Sequence, residues 1–349
     1  MKRAFQVMLL VALIGAFGFV GSSFAASSTN TMVYVTNSGG NNVTVINMKT
    51  MKAVGDIVVG KKVHGVCGPA DGRTVFFTIM STNTVKIVDT ATNEITGSIP
   101  LVSYPSGAEP NQCAATPDGH YIAVPMRFYN KDYKTLGDLD VIDMYQKKIV
   151  KVLPFRYPHN CYDGGTNDVI YCESRGDQAI HRLNLKTMKF DQKFPTGGDP
   201  RPFAVSKDGK TAYVALSGLH GFAITTPDGT PHRVELPPGP PEPPLCQKYE
   251  RNTPTHGVAL SPDGKELWVT SMGNASVYVY DIAAKTFSEA IHTGACPNWI
   301  SFAPDGKYVT VSNCGGDTTS IINTKTKKVV VDIKVGDVPK RLLAMNASM

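Results

Sequence analysis

No haem-attachment or catalytic fingerprint occurs in this chain. Cys-x-x-Cys-His is absent, so the chain attaches no c-type haem of its own. Gly-x-Gly-x-x-Gly, a Walker loop, Gly-x-Ser-x-Gly and His-Glu-x-x-His are missing too, and no catalytic carboxylate pair stands out. Charge of one sign is scarce: 35 basic against 29 acidic residues leave +6, spread too evenly for a nucleic-acid partner. After the first 25 residues no apolar run is long enough to span a bilayer. What is present is 42% hydrophobic and 18% charged residues with 32 Gly and 24 Pro, a globular profile that turns often and excludes disorder and a coiled coil.

Residues 1–25 read as a secretory signal, with Lys2 and Arg3 ahead of an apolar run from Val7 to Val20 and small residues around Ala25. The expected mature chain, 26–349, is one domain. All seven cysteines lie in it, where an oxidising compartment permits disulfides, and an odd count leaves at least one thiol free or shared with another chain.

Asp-Gly turns fall at Asp71-Gly72, Asp118-Gly119, Asp163-Gly164, Asp208-Gly209, Asp263-Gly264 and Asp305-Gly306, spaced by 42 to 55 residues. A strand follows each, such as Val75–Thr78, Tyr121–Val124 and Leu267–Thr270, and a second strand ending in Asp or Asn follows that. Seven units of four short strands at this period predict an all-β, seven-bladed β-propeller with four antiparallel strands per blade. The first unit lacks a leading strand while Lys340–Met345 has no unit of its own. The C-terminal strand is therefore expected to join the first blade and close the ring. Strand-ending acids such as Asp89, Asp143 and Asp281 are expected to bond turn amides.

Tyr34-Val35-Thr36-Asn37 and the Ser261–Gly264 turn resemble the YVTN-type seven-bladed β-propeller family over nearly the whole mature chain. That resemblance implies a fold and little about function, because propellers host unrelated activities.

Residues 236–256 lengthen the fifth unit, with six prolines in the eight positions from Pro237 to Pro244. Such a run is stiff and extended. It leads into Leu245, Cys246, Gln247, Lys248, Tyr249, Glu250, Arg251 and Asn252, which read either as a solvated loop or as a rigid arm reaching a partner. Aligning the units brings His64, Asn111, His159, Arg201, His256, Asn298 and Lys340 to one position, the entry of each innermost strand, where they should ring the mouth of the central channel. Polar residues there line a wet channel; alternatively the imidazoles are metal ligands or the basic members collect anions, although non-adjacent blades set His64, His159 and His256 far apart for one ion. Cys161 and Cys172 straddle one turn almost symmetrically, as Cys296 and Cys314 do another. Each pair is a candidate cross-strand disulfide if it occupies a non-hydrogen-bonded position, and otherwise consists of buried thiols.

The starts Pro110-Asn111-Gln112-Cys113 and Pro158-His159-Asn160-Cys161, the variant Cys296-Pro297-Asn298-Trp299 and the arm together resemble the propeller (beta) subunits of hydrazine synthases. The resemblance implies a non-catalytic subunit of an exported complex, in a periplasm-like compartment or an anammoxosome lumen. Its partner subunits would carry c-type haem, form hydroxylamine from nitric oxide and condense it with ammonia, the arm modulating transfer between their sites. The competing readings are a stand-alone secreted binding propeller and a haem- or metal-binding propeller enzyme.

Overall fold

The computed structural model describes residues 30–102, 107–128 and 136–348; the expected signal at 1–25 lies outside them. Seven antiparallel sheets follow one another around a ring. The second blade is typical, running outward through Val63–Cys67, Thr74–Ile79, Thr84–Asp89 and Glu94–Pro100. Two blades are irregular: the third has its innermost strand split into Glu109–Pro110 and Ala114–Ala115, and the sixth its outermost into Thr286–Phe287 and Ile291–His292. The first blade takes its innermost strand from the far end of the chain, Pro339–Ala347 pairing antiparallel with Asn30–Asn37. This is the closure expected from the unmatched ends.

Middle strands are buried on both faces because each sheet is covered by a blade on either side. Val33, Tyr34 and Val35 are all fully buried, whereas the outermost strand Lys52–Val58 shows solvent at most positions. The core is consequently a series of seams between blades. One packs Tyr34, Val43 and Val45 of the first blade against Val66, Val75 and Phe77 of the second.

Turn chemistry repeats with the blades. In Ser206–Thr211 the Ser206 hydroxyl donates to Asp208 Oδ1 at 2.6 Å and accepts from the Thr211 amide, and Ser261–Glu266 repeats the pattern. The glycine after each acid takes φ near +70°, as at Gly72, Gly119, Gly209, Gly264 and Gly306. The fourth blade departs from the expected Asp163-Gly164 turn, since Gly165 carries the positive φ there and receives the Asp163 side chain on its amide. Asp89, Asp143 and Asp281 accept turn amides, Asp89 from Ala91 at 2.8 Å and Thr92 at 3.1 Å.

Candidate functional site at the channel mouth

Each innermost strand enters the channel through a kink. The residue before it is left-handed at Lys62, Tyr157, Cys296 and Val338, and the pairing slips by a bulge across the first residues in five blades. A bulge re-aims side chains. What holds it is the third residue of the repeated Tyr-Val-Thr-Asn stretch. Thr36 Oγ donates to the His64 carbonyl of the next blade at 2.9 Å and to the Arg341 carbonyl of its own at 3.1 Å. Thr78 does the same for Asn111, and Ser312 for Lys340, both at 2.9 Å. At Gly65 a side chain would meet the Asn111 carbonyl, its Cβ only 2.5 Å away, so glycine lets the innermost strands of the second and third blades approach.

The structure gathers the expected ring. His64, Asn111, His159, Arg201, His256 and Asn298 are buried, and Lys340 is partly exposed. This is a packed mouth, and each imidazole has its own surroundings: His256 Nδ1 donates to the Asn298 carbonyl at 2.8 Å while His159 Nδ1 bonds Glu173. Among the described residues no group of three or more His, Cys, Asp or Glu side chains is placed to hold a metal ion.

Glu173 replaces the Thr36-type hydroxyl in the fourth blade. Its carboxyl, fully buried, meets His159 Nδ1 and accepts from Asn160 Nδ2 at 3.0 Å. Burial pushes this carboxyl up to about 8, against the pull of Arg175 and Arg201, and burial also holds His159 well below the ordinary imidazole value. Both shifts favour the uncharged forms, in which a carboxyl proton is donated to Nδ1. Beside it Arg201 Nε donates to Ser217 Oγ at 2.8 Å, Ser217 donates to Asp199, and Arg175 Nε donates to Asp199 at 2.6 Å.

The arm lies back across this mouth. Pro240 packs so closely on Gly273 that a Cβ there would stand 2.7 Å from the Pro240 carbonyl oxygen, and the chain then forms a short helix, Pro244–Tyr249. Glu250 follows and points inward, 8% exposed. Lys340 Nζ donates to Glu250 Oε1 at 2.9 Å and to the Tyr249 carbonyl at 2.7 Å, and His256 Nε2 stands 3.7 Å from Glu250 Oε2. Arg201 donates to the Arg251 carbonyl at 3.3 Å. Burial alone would raise the Glu250 carboxyl, but Lys340, His256, Arg341 and Arg201 together outweigh it and hold it well below the usual range. Leu245 is exposed and Cys246 buried.

Three disulfides fasten the region. Cys161–Cys172 spans a hairpin with Cα atoms 4.1 Å apart, the close approach of a non-hydrogen-bonded pair. Cys67–Cys113 joins the second and third blades, and Cys246–Cys296 pins the arm to the entry of the seventh. Of the two candidate pairs, Cys296–Cys314 therefore does not form. Cys314 is buried and free, and its amide donates to the Cys296 carbonyl at 3.1 Å, so the two occupy a hydrogen-bonded position while the Cys296 sulfur turns to the arm.

Reading the residues in order did not single out Glu173, Arg341 or Trp299. Arg341 is wholly buried, its guanidinium carbon 4.2 Å above the Trp299 ring and its Nη1 donating to Asn298 Oδ1 at 3.0 Å. Trp299 stacks on Tyr162 of the fourth blade at 5.9 Å, closing the channel beneath the polar ring. Against this stack lies a cavity of about 350 Å³ with a mixed lining that includes Gln112, Asp163 and Ser301 beside Val66, Phe203 and Leu342. One signal for Glu173 was readable: an acid inside the apolar strand Val169–Ser174, where the first, second, sixth and seventh blades place Thr or Ser.

These features define a closed seven-bladed propeller with a polar mouth sealed by its own insertion. No protein-family model matches the chain. In sequence, 187 residues are 28% identical to antigen Lp49 of Leptospira interrogans serogroup Icterohaemorrhagiae serovar copenhageni, covering 53% of this chain and 37% of that protein. The chain thus spans little more than a third of that curated relative. In structure it is similar to a chain of Kuenenia stuttgartiensis hydrazine synthase, with TM-score 0.68 and 16% identity over 88% of this chain and 99% of that one. A functionally unknown protein from Desulfotomaculum acetoxidans aligns with TM-score 0.71 and 14% identity, covering 91% of this chain and 99% of that chain. Dihydro-heme d1 dehydrogenase NirN in complex with DHE gives TM-score 0.60 and 15% identity over 87% of this chain and 63% of that one. At these identities the likeness is one of fold.

Proposed function

We propose that the chain is a non-catalytic propeller subunit of an oxidoreductase complex in an oxidising, extracytoplasmic compartment, holding haem-bearing partner subunits on its rim. The observation that carries this reading is where apolar side chains face solvent. Val330 of the seventh blade, Val54 and Val58 of the first, Ile95 of the second and Val150 and Val152 of the third are exposed on outermost strands, with Tyr145 and Val102 beside them. Among the described residues the fourth, fifth and sixth blades expose no large apolar side chain on their outer strands. The exposed apolar side chains of the outer strands thus fall on four consecutive blades, which we read as the side facing a protein partner, and the other three blades face water. Three disulfides suit an oxidising compartment, and among the described residues no helix is long and apolar enough to cross a membrane.

Within that class the complex is of the hydrazine synthase kind, its partners carrying c-type haem and converting nitric oxide and ammonium to hydrazine. The support is a likeness that takes in 99% of the hydrazine synthase chain, so that it is chain for chain. The arm at 236–256 then modulates passage of hydroxylamine between partner sites. Substituting Val54, Val58 and Val330 together with Glu should leave a folded propeller that no longer co-purifies with haem absorbance. Co-elution with haem as in the wild type rules the reading out. Deleting Pro237–Asn252 should release hydroxylamine and lower hydrazine yield from the complex; unchanged yield and leakage remove the arm's role.

The sequence match to antigen Lp49 favours a second reading, a stand-alone exported binding propeller. Size exclusion of the native extract separates the two, since a lone module elutes near the monomer without haem. A visible spectrum and metal analysis of the isolated chain test a haem- or metal-binding propeller.

A further inference from the structure

We propose that the channel mouth is a binding site for a small planar monoanion, a carboxylate or an oxyanion of similar size, and that the Glu250 side chain is its resident occupant. This goes beyond the scaffold reading and stands without it. Glu250 belongs to the insertion, a segment that the other six units lack, whereas the groups that meet it are entry residues of the repeat. Lys340 comes from the first blade and His256 from the sixth, while Arg201 of the fifth holds the neighbouring Arg251 carbonyl. Arg341 sits beneath them on Trp299.

The charges show what the mouth accepts. Asp199 is engaged by Arg175 and Ser217, and Glu173 shares its proton with His159, so Glu250 is the carboxylate that faces Lys340 and Arg341. Withdrawing it would leave buried cations without a counter-charge, a state far too costly to persist without an anion. The hydrogen-bond inventory agrees. Arg341 Nε, Asn298 Nδ2 and Asn111 Nδ2 are buried with no hydrogen-bond partner. All three are obligate donors, which suits an acceptor with several oxygens. The space vacated is that of one carboxylate, which selects formate and acetate over sulfate.

The test uses the full mature chain and its Glu250→Ala variant, titrated with formate and acetate by calorimetry and followed by thermal unfolding. Glu250→Ala should bind both anions at least about tenfold more tightly than wild type, with Tm raised by about 2 °C at tenfold excess over Kd. Glu250→Gln, whose amide still fills the space, should gain nothing, and Glu250→Ala with Lys340→Met should lose the binding. If Glu250→Ala cannot be purified in chloride, recovery in formate buffer is the readout, and equal loss in both buffers overturns the proposal. Equal anion affinity in wild type and Glu250→Ala overturns it as well.

Discussion

The hydroxyl of Thr36 touches two blades at once, and its replacement by an isosteric methyl tests how much of the ring geometry it sustains. Thr36→Val leaves the His64 carbonyl without its donor and the Arg341 amide, 3.1 Å from Oγ, without its acceptor, all in a buried place. The expected cost is about 1–3 kcal/mol, seen as a lowered Tm with the fold retained by circular dichroism. Glu173 makes a complementary prediction about pH. Its folded pKa, about 8, is raised above the ordinary 4.5, so the stability it contributes is complete below about 4.5 and is lost as pH rises through about 8. Glu173→Gln keeps a donor toward His159 and does not titrate. Wild type should therefore lose Tm relative to Glu173→Gln between pH 5 and pH 8.5 or so; parallel Tm curves across that range would place a charged carboxylate in the mouth.

Elements succeed or fail by what fastens them. The Cys67–Cys113 bridge closes 46 residues and joins two blades, whereas Cys161–Cys172 closes 11 within one hairpin. In the chain-entropy account the first is worth about 4 kcal/mol and the second about 3, so Cys67→Ala with Cys113→Ala should lower Tm more than Cys161→Ala with Cys172→Ala. The third bridge has a free thiol beside it, because Cys314 packs in one cluster with Cys246 and Cys296. In Cys246→Ser the hydrogen-bonded position of Cys296 and Cys314 should keep both as thiols, and non-reducing peptide mapping should show no pair between them. Local pairing was the part of this chemistry that sequence could express: Cys161–Cys172 lies across a visible turn, and its symmetry marks it. Cys67–Cys113 and Cys246–Cys296 join different blades, and such partners are set by the ring, which no local spacing encodes. The same contrast holds at the mouth. Its seven entry positions follow from the repeat period, but Arg341 lies one residue past the aligned position and the inward path of Glu250 depends on an insertion with no counterpart to align.

The molecule as a whole is a ring whose two ends meet in one sheet. Removing residues 339–349 takes the innermost strand from the first blade along with Lys340 and Arg341, leaving an open sheet edge and uncovering the first seam. The truncated chain should be recovered as aggregate, and a circular permutant that begins at Pro339 and runs through Ala347 into Asn30 should restore a soluble, cooperatively unfolding propeller.

Thr31 and Asn346 hydrogen-bond at 3.0 Å from positions 315 residues apart. The first of these strands precedes its mate by six blades, so the earliest blade waits, unfinished on its inner side, until all the others have followed it. Completion of the wheel therefore reports that every blade is present on one side of any barrier the chain crosses. Fragments that stop short retain an adhesive border, which leaves them recognisable to quality-control proteases.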